Sequence, residues 1–177
     1  MYRRYGKLLA ALAEFKKAVD LHPENPYCHY KLGDCCVEMG LHSAALKELE
    51  MARDLAPGDG FYHFWLGDTL ARIGRTSEAI AEMSQATRYA PEDSYYSVRL
   101  GVVYMQGGRL IDAAEALRNA VLLDPENASY HSLLGDVCVR LGYEREALFH
   151  YRSAGRLDPF DYVYVERVRK MSFSELF

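Results

Sequence analysis

Five prolines fall at a single spacing: Pro23, Pro57, Pro91, Pro125 and Pro159 are each 34 residues apart. A fixed period of this length marks one supersecondary unit repeated along the chain. Such a unit cannot bury its apolar face alone, so copies must stack. Other columns hold the same register without insertion or deletion. Leu-Gly recurs at Leu32-Gly33, Leu66-Gly67, Leu100-Gly101 and Leu134-Gly135, and a second glycine column runs Gly6, Gly40, Gly74, Gly108, Gly142. Two alanine columns accompany them, Ala11, Ala45, Ala79, Ala113, Ala147 and Ala18, Ala52, Ala86, Ala120, Ala154. Contacts in such a chain stay local in sequence, and its core is a ribbon rather than a ball.

Each unit reads as two helices. In the unit that begins at Gly60, the spacing predicts helices over 60–73 and 77–90. The column Asn25, Asp59, Asp93, Asn127, Asp161 supplies short polar side chains that can cap a helix N-terminus. Gly40, Gly74, Gly108 and Gly142 stand where the first helix must stop, a place for the left-handed conformation. Each recurrent proline ends the second helix, because it cannot continue the hydrogen-bond ladder. Gly33, Gly67, Gly101 and Gly135 lie mid-helix, where glycine costs about 1 kcal/mol relative to alanine. Close helix crossing explains that cost, with the column Ala45, Ala79, Ala113, Ala147 opposite. Leu49, Met83, Leu117, Tyr151 and Leu55, Tyr89, Leu123, Leu157 are two further columns expected to fill the gaps between helices.

The Leu-Gly, Ala, Ala and Pro columns in a unit of 34 resemble the tetratricopeptide repeat over residues 1–159. The resemblance implies an all-α fold, a right-handed superhelical solenoid of antiparallel helix pairs forming a single domain over 1–177. It would hold a partial repeat (1–25), four complete repeats (26–59, 60–93, 94–127, 128–161), and a capping helix and tail (162–177). The chain departs from the family pattern at two aromatic columns, which hold His29, His63, Ser97, His131 and Cys36, Leu70, Tyr104, Cys138.

The two ends differ. Met1 falls at the tenth position of a unit, so the first unit keeps mainly its second helix. Its apolar residues Ala11, Leu12, Phe15, Ala18, Val19 and Leu21 lack half of their expected cover. That is expected of a fragment or misassigned start, or of an end covered by a partner or a second copy. A signal peptide is disfavoured, because Glu14 breaks the apolar run and Gly6, Ala11, Phe15 and Pro23 sit in register. At the other end, Tyr164, Val168 and Met171 have helical apolar spacing, and Arg169 replaces the glycine of the repeat. The tail Phe173–Phe177 is expected to fold back or to dock elsewhere.

The formal charge of −4 argues against general nucleic-acid binding, which needs a basic footprint. No stretch approaches the ~20 apolar residues of a membrane span. Cys28, Cys35, Cys36 and Cys138 have no framework spacing and are expected to be reduced thiols in a cytoplasmic protein. The histidine column cannot converge on one zinc ion, because neighbouring helices pack about 8–10 Å apart. No phosphate loop, nucleophile elbow or zinc-protease motif is present, and neither an enzyme nor a cofactor is expected.

The family resemblance implies that positions 2, 5, 9, 12 and 13 of each unit line a groove. Candidate site residues are therefore Tyr27, Tyr30 and Asp34 in the first complete unit, Phe61, Phe64 and Asp68 in the second, and Tyr95 and Val98 in the third. Arg99, beside Val98, alone fits the family's carboxylate-gripping pattern, and Asp34 and Asp68 would repel a carboxylate. Aromatic anchors ringed by carboxylates suit a peptide with apolar residues and a Lys or Arg. The expected function is a non-catalytic protein-interaction scaffold. The rival is a substrate-recruiting or regulatory segment of a larger enzyme such as a glycosyltransferase, and self-association through the N-terminal half repeat is a third possibility.

Overall fold

The computed structural model describes residues 2–163 and 166–169. They form two compact all-helical units, Met1–Ala90 and Pro91–Phe177. The first holds α1 (Tyr2–Leu21), α2 (Pro26–Glu38), α3 (His42–Leu55), α4 (Gly60–Arg72) and α5 (Thr76–Tyr89). The second holds α6 (Ser94–Gln106), α7 (Leu110–Leu123), α8 (Ala128–Leu141) and α9 (Glu144–Leu157), followed by helical residues at 162–163 and 166–169. Met171 and the Phe173–Phe177 tail lie outside the described residues.

The boundaries follow from local chemistry. Asn25 accepts from the Tyr27 N–H at 2.9 Å, Asp59 from Phe61 at 2.9 Å, Asp93 from Tyr95 at 2.8 Å and Asn127 from Tyr130 at 3.3 Å. Each cap stabilises its helix by about 1 kcal/mol. Gly40, Gly74, Gly108 and Gly142 turn the chain at φ between +72° and +82°, which only glycine adopts cheaply. Gly6 is different: it lies inside the continuous 20-residue α1 and carries no positive φ. The start of the chain thus extends a helix where the other units turn.

Helix pairs cross where the mid-helix glycines sit. A Cβ on Gly33 would meet Leu49 Cγ at 2.8 Å, and one on Gly67 would meet Met83 Cγ at 2.8 Å. The equivalent contacts are 2.7 Å from Gly101 to Leu117 Cγ and 2.6 Å from Gly135 to Tyr151 Cε1. Leu49, Met83, Leu117 and Tyr151 are accordingly buried. The second expected gap-filling column is a correction: Leu55, Tyr89, Leu123 and Leu157 are 38–46% exposed. They occupy the last turn of their helices, where half of each side chain clears the packed face. In the first unit Leu12, Phe15 and Val19 of α1 pack on Leu32, Cys36 and Ala45. In the second unit Val98, Leu117, Leu134 and Tyr151 share a core, with Val168 packed against it. All four cysteines are free thiols, and burial pushes Cys138 up to about 11.

The histidines that replace the first aromatic column stitch three of the four pairs to the turn before them. His29 Nε2 bonds the Pro23 carbonyl at 2.9 Å, and His63 and His131 bond those of Pro57 and Pro125 at 3.0 Å. Their Nδ1 atoms reach the second helix of the pair. His29 meets Glu48 at 2.8 Å and His63 meets Glu82 at 2.7 Å, whereas His131 meets His150 Nδ1 at 3.0 Å. Carbonyls and carboxylates only accept. In the first unit both ring nitrogens of His29 and of His63 thus face acceptors. In the second unit the group facing His131 Nδ1 is a second imidazole, and burial, then His131, hold His150 down to about 4.

Candidate functional site

In the first unit, α2 and α4 lie side by side and bring the expected aromatics into one cluster. Tyr30 is the hub: its ring lies 4.8 Å from Phe61, 5.4 Å from Trp65, 6.5 Å from Tyr62 and 5.8 Å from Tyr27, centre to centre. These contacts divide the candidates. Tyr30 and Phe64 are buried, at 6% and 4% exposure, and form the wall. Tyr27 is 52% exposed and Phe61 half-buried, and these two present their rings outward. Lys31 Nζ lies over the Tyr27 and Tyr30 rings at 5.3 and 5.1 Å.

A cavity of about 130 Å³ opens beneath this cluster, lined by Tyr30, Asp34, Val37, Glu38, Leu49, Trp65, Asp68, Thr69 and Arg72. Asp68, one helical turn before Arg72, is paired with it at 2.8 Å and is buried. Asp34 is half-buried and accepts no hydrogen bond from any described residue. Burial pushes its carboxyl upward, against the opposing pull of Lys31 and Arg72. Burial, and then the Asp34 charge, push the Tyr30 hydroxyl up to about 12, so it remains a neutral donor. Trp65 and Lys31 were not among the groove positions expected from the sequence. The signal was available: Trp65 is the only tryptophan and follows Phe61 by one helical turn, as Lys31 follows Tyr27.

The second unit is built differently. On α6, Tyr95 is exposed, Val98 is buried in the core and Arg99 is half-buried. The ninth position of the α8 repeat is Asp136, and it is occupied. Arg167 reaches back to it at 2.8 Å and donates to Ser132 Oγ at 2.7 Å. Its guanidinium lies 5.3 Å from the Tyr151 ring centre, while the Tyr151 hydroxyl donates to Asp136 at 2.6 Å. Burial, then that hydrogen bond, push the Tyr151 hydroxyl upward.

Family models of the tetratricopeptide repeat match residues 2–63, 64–115 and 101–142. The chain is a tetratricopeptide repeat protein. Solved structures agree in fold. One crystal structure of MamA superposes with a TM-score of 0.81 at 22% identity, over 89% of this chain and 92% of that one. MamA from Desulfovibrio magneticus RS-1, from residue 41 to its end, gives 0.79 at 25% identity over 89% of each chain. YrrB, described as a TPR protein with an unusual peptide-binding site, gives 0.78 at 19% identity, over 94% of this chain and 86% of that one. No curated protein sequence matches the chain. Among the described residues, no helix is long and apolar enough to cross a membrane, and no three His, Cys, Asp or Glu side chains are placed to hold a metal ion.

Proposed function

We propose that this tetratricopeptide repeat protein is a non-catalytic scaffold that holds a peptide segment of a partner protein on the α2–α4 face of its first unit. The observation that carries the reading is the continuous ring cluster of Tyr27, Tyr30, Phe61 and Trp65 over a cavity with carboxylates in its lining. Large rigid rings give contact area at low entropic cost, and they dominate interfaces where a buried wall supports an exposed face. Tyr30 and Phe64 supply the wall, and Tyr27, Phe61 and Trp65 supply the face. The partner segment carries apolar residues for the rings and a basic residue for the carboxylates. YrrB, of the same fold, is a precedent for a peptide site on such a scaffold.

The test is capture from native lysate by immobilised parent protein and by a Phe61→Ala/Trp65→Ala variant, with Lys47→Ala on α3 as control. A protein retained by the parent and by Lys47→Ala, but lost by a folded double variant, supports the reading. The captured protein is then cut into segments, and the binding one is identified by its effect on Trp65 fluorescence. Equal capture by all three places the site elsewhere.

A further inference from the structure

Three of the four ninth positions are aspartates, and the chain itself shows what two of them take. Asp68 is paired with the Arg72 guanidinium at 2.8 Å, and Asp136 with the Arg167 guanidinium at 2.8 Å. The second case is the more instructive, because Arg167 arrives from a later segment rather than from the same helix. It meets three groups at once: the ninth-position carboxylate, a hydroxyl at the fifth position (Ser132) and the face of an aromatic ring (Tyr151).

Around Asp34 the same elements are present without the arginine. The carboxylate lines the cavity and accepts no hydrogen bond from any described residue. The fifth position is Tyr30, another hydroxyl, and its ring and that of Trp65 form an aromatic wall. The other charged groups of the lining are Glu38, Asp68 and Arg72, so carboxylates outnumber cations. An anionic side chain would meet repulsion there, and an apolar one would leave the half-buried carboxylate without a partner. A guanidinium suits the place better than an ammonium. It is planar, stacks on aromatic faces, is weakly hydrated, and donates two parallel hydrogen bonds to a carboxylate.

We propose that the cavity beside Asp34 takes an arginine side chain of the bound segment, with its guanidinium on the Asp34 carboxylate and its plane against the Trp65 and Tyr30 rings. This rests on the peptide-binding reading and deepens it, from a basic residue to arginine at a named place. Arg167 on Asp136 is the intramolecular version of the same contact.

A library of 12-residue peptides displayed on phage is selected on the full chain. Recovered peptides are synthesised with arginine or with its neutral isostere citrulline, then titrated while the fluorescence of Trp65 is followed. The expected result is enrichment of arginine, a saturable Trp65 response, and at least tenfold weaker binding of the citrulline peptide. Asp34→Asn should weaken the arginine peptide by a similar factor and leave the citrulline peptide unchanged. Peptides that move Trp65 but bind equally with citrulline would overturn the arginine assignment and leave the peptide-binding reading intact. If no selected peptide moves Trp65, both fail. The citrulline comparison uses the unaltered protein, so it decides the matter even if Asp34→Asn folds poorly.

Discussion

Asp34 in the first unit and Asp136 in the second hold the same place in their helix pairs, yet one faces a cavity and the other is already bound. The histidines show a parallel contrast: His29 and His63 lie against carboxylates, while His131 lies against a second histidine. One backbone unit thus supports a version whose histidines face carboxylates and whose Asp34 lines a cavity, and a version in which histidine meets histidine and Asp136 is paired within the chain. The repeat columns set the frame. The residues between the columns decide what each copy does.

The largest expected effect comes from removing the charge that the first unit depends on. Glu82 accepts from both His63 Nδ1 and Arg53 Nη1, each at 2.7 Å. Glu82→Ala leaves the His63 ring and the Arg53 guanidinium without that acceptor and is expected to cost about 3 kcal/mol, read by urea unfolding. A cost below about 1 kcal/mol would mean that the His–Glu pairs are not what distinguishes the first unit.

The helix crossings come next. Gly135→Ala would press its Cβ on a Tyr151 ring that Asp136 holds by its hydroxyl, and about 2 kcal/mol of destabilisation is expected. At Gly33 the obstacle is the Leu49 side chain, which can shift, and alanine's better helix propensity offsets part of the clash. Gly33→Ala should therefore cost under about 1 kcal/mol. Equal melting of the two variants would contradict this account of Tyr151.

A smaller effect separates the two histidine chemistries by pH. His150 is held down to about 4, first by burial and then by the adjacent His131; nearby Glu146 pulls it up and Arg118 pushes it down. Its ordinary value is 6.5. Between the two values the unfolded chain binds the proton and the folded chain does not. The contribution is therefore fully present above about 6.5 and declines as pH falls toward about 4. Thermal melts across that range should show the decline, and His150→Glu, which copies the first unit's pairing, should remove it. An unchanged slope in that variant would assign the pH dependence to other groups.

The smallest effect is expected at the C-terminal contact. Arg167→Ala should cost about 1 kcal/mol, because the ion pair with Asp136 is partly open to solvent. It would also leave Asp136 without its guanidinium, though still accepting from the Tyr151 hydroxyl. A weak response of Tyr151 to the arginine peptide in this variant, absent in the parent, would tie the two sites together. No response would confine arginine recognition to the ring cluster of the first unit.

Much of this protein was legible without coordinates. Helix starts at Asn25, Asp59, Asp93 and Asn127, left-handed turns at Gly40, Gly74, Gly108 and Gly142, and close crossings at Gly33 to Gly135 all follow from the sequence. They are set by backbone chemistry within one unit and repeated at a fixed interval. Gly6 escaped that logic, because a column match does not say whether a neighbouring helix exists to turn toward. The site was less legible. Tyr27 and Tyr30 are equally aromatic and three residues apart, yet one is exposed and the other walled in by rings from α4. Trp65 joins that cluster, and Arg167 finds Asp136, only because packing brings together side chains some thirty residues apart in the chain. The sequence determined the period, the caps and the crossings. Tertiary structure alone decided which aromatics face outward and which aspartate keeps a free carboxylate, because burial and pairing depend on neighbours that no column specifies.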